Sequence, residues 1–432
     1  MIKQQYQSVL EYLYSRLPMF QRDGKKAFKK DLENIRDLCW ELGLPHWKFK
    51  SIHVAGTNGK GSVSSMLSSI LMEAGYTTGL YTSPHLHSFQ ERIRVNGQEI
   101  SQQEIIEFVD LYKSVIEVIS PSFFELTVGM AFDHFAEQEV DIAVVEVGLG
   151  GRLDSTNIIS PEISIITQIA YDHTDILGDT LAAIAGEKAG IIKRYTPIVI
   201  GERHPETEVI FLNKAKEEEA AIHFAEDAYQ LSPVSRDWHQ QTFHIHPTDE
   251  ALEDITLDLA LPGHYQQQNL RTVLCAVDVL REDGWEIPHE AVVKGLKKVA
   301  KNSGLRGRME VLGEQPLVLC DTAHNVSGVS AVLQQLSSIP AEQLHIVWGM
   351  LSDKQHDEIL ALMPQGASYY FVRPDTPRGL SALTLQMKAE SHDLHGNIFD
   401  SVRQGLNAAK AHANPNDIIL VGGSTFVLAE VV

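Results

Sequence analysis

The sequence predicts an α/β protein: a doubly wound, mostly parallel sheet, followed by a smaller C-terminal Rossmann-like α/β domain with its own sheet. Three observations carry this. From about residue 51, short apolar β-branched runs alternate with helical stretches. The runs DIAVVEVG, EISIITQI and TPIVIG have the character of central strands buried on both faces. The alternation lapses between residues 202 and 260, then restarts after the basic, glycine-containing stretch KNSGLRGR. That stretch is read as the linker, dividing residues 1–298 from 299–432.

The elements follow in order. MIKQQYQSVLEYLYSRLPMF is read as an amphipathic helix rather than a signal peptide, because it lacks an unbroken apolar segment and a small-residue cleavage site. KSIHVAG is a strand, and KGSVSSMLSSILMEAG a helix ended by Gly75. TTGLYTS is a second strand. SQQEIIEFVDLYKSVIEVI is a helix with Ser101 as N-cap and Glu104 completing a capping box. A helix around ELTVGMAFDHFAEQ precedes the three apolar strands. TFHIH and DITLDLAL are candidate antiparallel strands, with helices from about Gln266 to Arg281 and His289 to Lys301. In the C-terminal domain PLVLCD, LHIVWGM, SYYFVRP and DIILVGG alternate with helices. The KEEEAA and FKKD runs read as solvated helix faces.

At 432 residues the chain can bury more than one core, and 44% of its residues are hydrophobic. Its net charge of −21 argues against nucleic-acid and anionic-membrane partners. No window approaches the roughly 18–20 apolar residues of a membrane span. Cys39, Cys275 and Cys320 lie far apart without zinc spacing, and are expected as reduced core thiols in a cytoplasmic protein.

The stretch HVAGTNGKGSVSSML places Gly56-Thr57-Asn58-Gly59-Lys60-Gly61-Ser62 between a strand and a helix. Glycines let the backbone approach a ligand and aim N–H groups at it. The helix adds its positive end, and Lys60 adds a point charge. The loop is shorter than the GxxxxGK(S/T) pattern, with Gly61 between Lys60 and Ser62, yet it reads as a phosphate cradle. DIAVVEVG ends on Glu146, where a phosphate-loop protein holds Mg2+ directly or through water. Asp172, His173 and Asp175 follow another strand, and Glu187-Lys188 sits near a helix end. From these residues alone His173 is not assigned to metal, and Lys188 could be a helix-end lysine paired with Glu187.

GTNGKGS, LYTSPHL, ERIRVNG, VEVGLGGRLDSTN, DHTDILGDTLAAIAGEKAGI, GHYQQQN, RGRME and DTAHN occur in one order along nearly the whole chain. In this the chain resembles the folylpolyglutamate synthase/dihydrofolate synthase family, relatives of the Mur peptidoglycan ligases. The resemblance implies a Mur-ligase-like ATP-binding domain and a C-terminal glutamate-ligase domain. It implies an ATP-dependent ligase that makes an acyl phosphate on a pterin acid and lets the glutamate amine displace phosphate. The chemistry suits such a site, because a carboxylate is a poor electrophile until phosphorylation gives it a leaving group. Expected partners are ATP, L-glutamate and dihydropteroate or a reduced folate, and the chain is expected to be a monomer.

Carried over from the family, the Mg2+ ligands fall on Ser83, Glu146 and His173, with two ions expected. A carbamylated lysine falls on Lys188. Nucleotide contacts fall on Asn269, Arg308 and Asp321, beside the cradle residues Gly56 to Ser62. His324 is expected near the γ-phosphate or the glutamate end, and Lys60 and Lys188 as catalytic groups. Domain closure is expected to bring Arg308 onto phosphate. Phe123, Phe124, Leu153 and Asp154 are expected at the pterin, although adjacent phenylalanines before a helix are more often core. His85 or His87 would meet folate carboxylates. The chain departs from the family at Val326, where proline is usual, and at Gln355, so Asp353 and Lys354 are given no role.

A bifunctional enzyme is favoured, adding glutamate to dihydropteroate and further glutamates to reduced folates; either activity alone is the alternative. A Mur-type enzyme with a UDP-linked acceptor would need a domain before the cradle, where only about 50 residues lie. A phosphate-loop kinase or GTPase leaves the second domain unexplained. The His244 and His246 imidazoles share one strand face, but no third ligand is evident in the sequence.

Overall fold

The computed structural model describes residues 2–19, 22, 31–249 and 253–432. Of the FKKD run, all but Asp31 lies outside the described residues. The helix Ile2–Arg16 buries Tyr6, Val9 and Leu13, a helical spacing that docks it on one core. Ile35, Leu38 and Cys39 of the helix Glu33–Glu41 join the same core.

The first sheet contains β1 (Lys50–Ala55), β2 (Thr78–Tyr81), β3 (Ile93–Val95), β4 (Gln98–Glu99), β5 (Ile142–Glu146), β6 (Ile163–Ile166), β7 (Ile198–Ile200) and β8 (Ile222–Phe224). Their order is β4-β3-β2-β5-β1-β6-β7-β8. Pairings are parallel from β2 through β8 and antiparallel at β2–β3 and β3–β4. Asn96 and Gly97, at φ 48° and 76°, make the tight turn of that edge hairpin. The chain steps one way from β1 to β2 and the other way from β6 to β8, so β1 is the switch point where ligands collect. Tyr81 pairs with Val145, Val54 with Glu146, and Ala55 with Ile166, so β2, β5, β1 and β6 all release their loops at one edge.

Local signals set the helices. Ser101 and Glu104 form the expected capping box. A second box starts the next helix, Phe123–Glu137: the Ser122 N–H donates to Glu125 Oε2 at 2.6 Å, and the Glu125 N–H to Ser122 Oγ at 3.2 Å. Phe123 and Phe124 therefore occupy the helix's first turn, rather than the segment ahead of it.

β9 (Tyr229–Arg236), β10 (Gln241–Pro247) and β11 (Ile255–Leu259) form a three-stranded sheet in the order β11-β10-β9. The last sheet contains β12 (Glu310–Glu314), β13 (Leu317–Cys320), β14 (Leu344–Trp348), β15 (Ser368–Val372), β16 (Gly396–Phe399) and β17 (Ile418–Gly422), ordered β12-β13-β17-β14-β15-β16. It is parallel except for the β12 edge.

The chain forms two compact units. One comprises Met1–Ser232, Phe243–Asp258 and Gln267–Gly304; the other comprises Pro233–Thr242, Leu259–Gln266 and Leu305–Val432. Gly304, at φ 69°, closes the short helix Val299–Ser303 where the last crossing occurs. The motif GHYQQQN is itself divided: Tyr265 belongs to the second unit and Asn269 to the first. All three cysteines are buried and free. Among the described residues no helix is long and apolar enough to cross a membrane.

Candidate active site

The glycine loop leaves β1 at Gly56 and enters the helix Lys60–Glu73 at Gly59. Gly59 has φ 91°, and a Cβ there would stand 2.3 Å from Asn269 Oδ1. At Gly56, φ 149°, a Cβ would meet Thr167 Oγ1 at 1.8 Å. Both glycines are thus required by neighbours as well as by backbone conformation. The loop is fastened to the segment leaving β6. Thr167 Oγ1 donates to Asn58 O at 2.6 Å, Thr57 Oγ1 to Ala170 O at 3.0 Å, and Asn58 Nδ2 to Gln168 Oε1 at 3.0 Å. Gly59 supplies no side-chain cap to the helix's first turn. That turn, with the buried Gly61 and Ser62, faces the loop with its positive end.

Two lysines meet on one oxygen here. Lys60 Nζ donates to Gly56 O at 3.1 Å and to Thr57 O at 3.3 Å, and Lys188 Nζ donates to Gly56 O at 2.8 Å. Lys188 sits in the last turn of the helix Leu181–Ala189 and is buried. Burial first, then the neighbouring Lys60, brings its amine down to about 7. Glu187 is not its partner: that carboxylate pairs with Arg152 at 2.8 Å.

Glu146 ends β5 and is buried, accepting the Ser83 N–H at 3.3 Å. The structure therefore joins the exits of β2 and β5. His173 stands at the exit of β6, on the far side of β1 from Glu146, with φ 49°. Its N–H donates to Asp172 Oδ1 at 2.8 Å, and its ring lies 3.9 Å from Asp172 Oδ2. The donor set of carboxylate, hydroxyl and imidazole fits a divalent cation that accepts oxygen and nitrogen.

The two adjacent phenylalanines part company. Phe123 is buried among Tyr14, Phe89 and the Arg92 guanidinium, within the N-terminal core. Phe124 is half-buried beside Tyr81, and a Cβ on Gly148 would stand 2.4 Å from its ring. Phe124, rather than Phe123, borders the glycine turn that leads to Asp154. Asp154 is buried and ties that loop together: Oδ2 accepts the Leu149 N–H at 2.8 Å, and Oδ1 accepts the Thr156 N–H at 3.0 Å and hydroxyl at 2.6 Å. Burial raises its pKa. Leu153 is half-buried next to it. His85 Nδ1 accepts from Arg92 Nε at 2.7 Å, while the His87 side chain is exposed.

In the second unit Asp321 follows β13. Its Oδ2 accepts the Met309 N–H at 2.9 Å and the Tyr265 hydroxyl at 2.6 Å, and its Oδ1 accepts the Ala323 N–H at 2.8 Å. Burial raises its pKa, against the pull of the Arg308 guanidinium. Arg308 donates to Gly307 O at 3.1 Å and to the Thr322 hydroxyl. His324 Nδ1 lies 3.0 Å from Thr322 O. Asn325 caps the helix Val326–Ser337, accepting the Gly328 N–H at 2.9 Å. Val326 takes the first helical position without disturbing that cap. Asp353 pairs with Arg378.

Reading the sequence missed Thr167, Gln168 and Ala170, which brace the cradle, and Tyr265, which orders Asp321. Tyr265 lies inside the GHYQQQN motif itself. Thr167 and Gln168 sit between a strand and a titratable cluster, the usual place for loop-bracing groups.

Residues 54–277 match the Mur ligase middle domain, and residues 307–425 match the Mur ligase, glutamate ligase domain. Among solved structures, Escherichia coli FolC in complex with DHPP and ADP superposes with a TM-score of 0.85 at 33% identity, covering 99% of this chain and 96% of that one. The Yersinia pestis bifunctional folylpolyglutamate synthase/dihydrofolate synthase complexed with AMPPNP and Mn ion gives 0.84 at 30% identity, covering 99% and 97%. The switch-point cradle and the second α/β unit define an ATP-dependent, ADP-forming ligase of the Mur type. The dihydrofolate synthase/folylpolyglutamate synthase of Bacillus subtilis (strain 168) is 34% identical over 437 residues, covering 99% of this chain and 98% of its own. That of Escherichia coli (strain K12) is 35% identical over 414 residues, covering 93% of each. The chain belongs to the dihydrofolate synthase/folylpolyglutamate synthase family.

Proposed function

We propose that the chain is bifunctional, joining L-glutamate to dihydropteroate and adding further glutamates to reduced folates. The observation that carries the phosphate chemistry is the meeting of Lys60 and Lys188 on the Gly56 carbonyl. The Lys60 charge, the helix's positive end and the glycine backbone concentrate positive potential at one point of a strongly acidic chain, with the Lys188 amine held beside them. A triphosphate is the complement of that field. The names of the Bacillus and Escherichia relatives, and the DHPP and ADP of the FolC complex, support the acceptor and the nucleotide.

The acceptor's carboxylate oxygen attacks the γ-phosphorus, and ADP leaves. The glutamate nitrogen then attacks the acyl carbon of the acyl phosphate; inorganic phosphate leaves, and the amine gives up a proton. Positioning and charge neutralisation are the protein's share of the work. Lys60 and the amides of the 56–62 loop are proposed to hold the β- and γ-phosphates. Asn269, Arg308 and Asp321 would make further nucleotide contacts, and His324 would lie near the reacting end. Phe124, Leu153 and Asp154 are proposed pterin contacts, with Phe123 supporting Phe124 from the core.

Ser83, Glu146 and His173 are the proposed ligands of a divalent ion, in keeping with the Mn ion of the Yersinia complex. Such an ion neutralises phosphate charge when bound. We extend this to two Mg2+ ions and a carbamylated Lys188: burial brings its amine down to about 7, which makes available the neutral form that adds CO2, releasing a proton to leave a carbamate. A cytoplasmic monomer is the proposed working form; the three buried free thiols support the reducing compartment.

The Lacticaseibacillus casei relative, 30% identical over 438 residues, is named folylpolyglutamate synthase alone, which favours a single activity as the second reading. Phosphate release with ATP, Mg2+ and glutamate, with dihydropteroate or tetrahydrofolate added separately, distinguishes them. Stimulation by both acceptors is expected; one alone narrows the assignment and neither defeats it. Lys60→Ala should lower turnover with either acceptor by at least about 100-fold.

A further inference from the structure

We propose that His244, His246 and Asp254 form a binding site for a divalent transition ion of the Zn2+ class on the three-stranded sheet, independent of the nucleotide site. The two histidines lie on one face of β10 because Phe243 and Ile245, between and before them, are fully buried on the other. The core thus fixes the strand face that carries both imidazoles before any ligand arrives. Asp254, immediately ahead of β11, supplies the third group. His246 pairs with Asp254 and His244 with Thr256, opposite senses along the chain that suit antiparallel strands.

The geometry is close to that of a coordinated ion. His246 Nδ1 lies 2.9 Å and His244 Nε2 lies 3.7 Å from the same oxygen, Asp254 Oδ2. One donor atom from each residue falls within 4.8 Å of the other two. Ligands at zinc bond lengths in a tetrahedral shell stand about 3.4 Å apart, a value between those two distances. The three donor atoms are near enough for side-chain rotation to bring them into a three-ligand shell with an open position for water. An ion pair would need one histidine on the carboxylate; here two converge, with ring centroids 4.4 Å apart at 90°.

Thr256 adds an orienting partner. His244 Nδ1 lies 3.3 Å from Thr256 Oγ1. Donation of Nδ1–H to that hydroxyl selects the tautomer whose Nε2 lone pair faces Asp254, the arrangement that prepares a histidine for metal. Two imidazoles with one carboxylate favour Zn2+, Co2+, Ni2+ or Cu2+ over Mg2+ or Ca2+, which prefer oxygen shells. A bound ion would tie β10 to the start of β11.

The test uses full-length, tag-free protein stripped of metal, in excess Mg2+ without nucleotide, titrated with Co2+ and followed by its visible d–d absorption. Wild type should bind one equivalent that His246→Ala and Asp254→Ala each weaken by at least about 100-fold, while His239→Ala, at a solitary exposed histidine, binds as wild type. Zn2+ should raise the melting temperature of wild type and not of His246→Ala. Mg2+-dependent ligase turnover should persist in every variant, which keeps this result separate from the fate of the active-site reading. Equal Co2+ stoichiometry and affinity in wild type and His246→Ala, or no uptake at millimolar Co2+, overturns the proposal.

Discussion

Lys188 Nζ donates to the carbonyl oxygen of Gly56 across 2.8 Å, joining residues 132 positions apart in the chain. The amine is held near 7 in the folded protein, against 10.5 for an ordinary lysine. Between those values the unfolded chain holds a proton that the folded chain has released. Stability therefore rises with pH across this window and is lost as pH falls through it. Lys188→Met should flatten the slope of unfolding free energy against pH by up to about 1.4 kcal/mol per unit in bicarbonate-free urea titrations. Equal slopes would mean a charged native lysine. In carbon-13 bicarbonate, wild type should show a carbamate resonance that the variant lacks; its absence from wild type retires the modification.

Gly59 and Gly75 both have positive φ, but only Gly59 has a neighbour in the way. Gly59→Ala adds a clash with Asn269 Oδ1 to backbone strain of about 1–3 kcal/mol. It should lower kcat/KM for ATP by about 100-fold, since small misplacements at a reacting centre are expensive. Gly75→Ala, with nothing within 4 Å, should lose stability and keep its kcat. Matching kinetics in the two variants would show that the loop's shape is immaterial to turnover.

Phe123 and Phe124 separate packing from recognition. Phe123→Ala opens a hole among Tyr14, Phe89 and Arg92 and should cost about 3–5 kcal/mol. Phe124→Ala should cost less, and should raise KM for dihydropteroate while leaving KM for ATP unchanged. A Phe124→Ala enzyme with wild-type dihydropteroate kinetics would remove that ring from the pterin site.

Tyr265→Phe removes the hydroxyl that holds Asp321 Oδ2 at 2.6 Å, costing about 1 kcal/mol. That hydrogen bond lowers the Asp321 pKa against the rise caused by burial, so its loss lets the pKa climb further. The acidic limb of kcat/KM for ATP should move to higher pH. A stationary limb would separate Asp321 from nucleotide binding.

Some of this architecture is written in neighbouring residues. The Ser101–Glu104 box, the Gly75 stop and the alternation of strand and helix depend on bonds a few positions long, so sequence determines them by itself. The hairpin at Asn96-Gly97 and the Ser122–Glu125 box carry equally local signals, legible in the same few residues. The glycine cradle was also plain, because its backbone demands exclude most other residues at Gly56 and Gly59. The rest was decided by packing. Phe123 turns into the core while Phe124 borders Gly148, Asp154 is absorbed by its own loop, and Asp254 reaches two histidines on the adjacent strand. Burial against a loop more than a hundred residues away lowers the Lys188 pKa. Such pairings follow from the order in which strands join the sheet, a choice made by whole buried surfaces rather than by any short run of the chain.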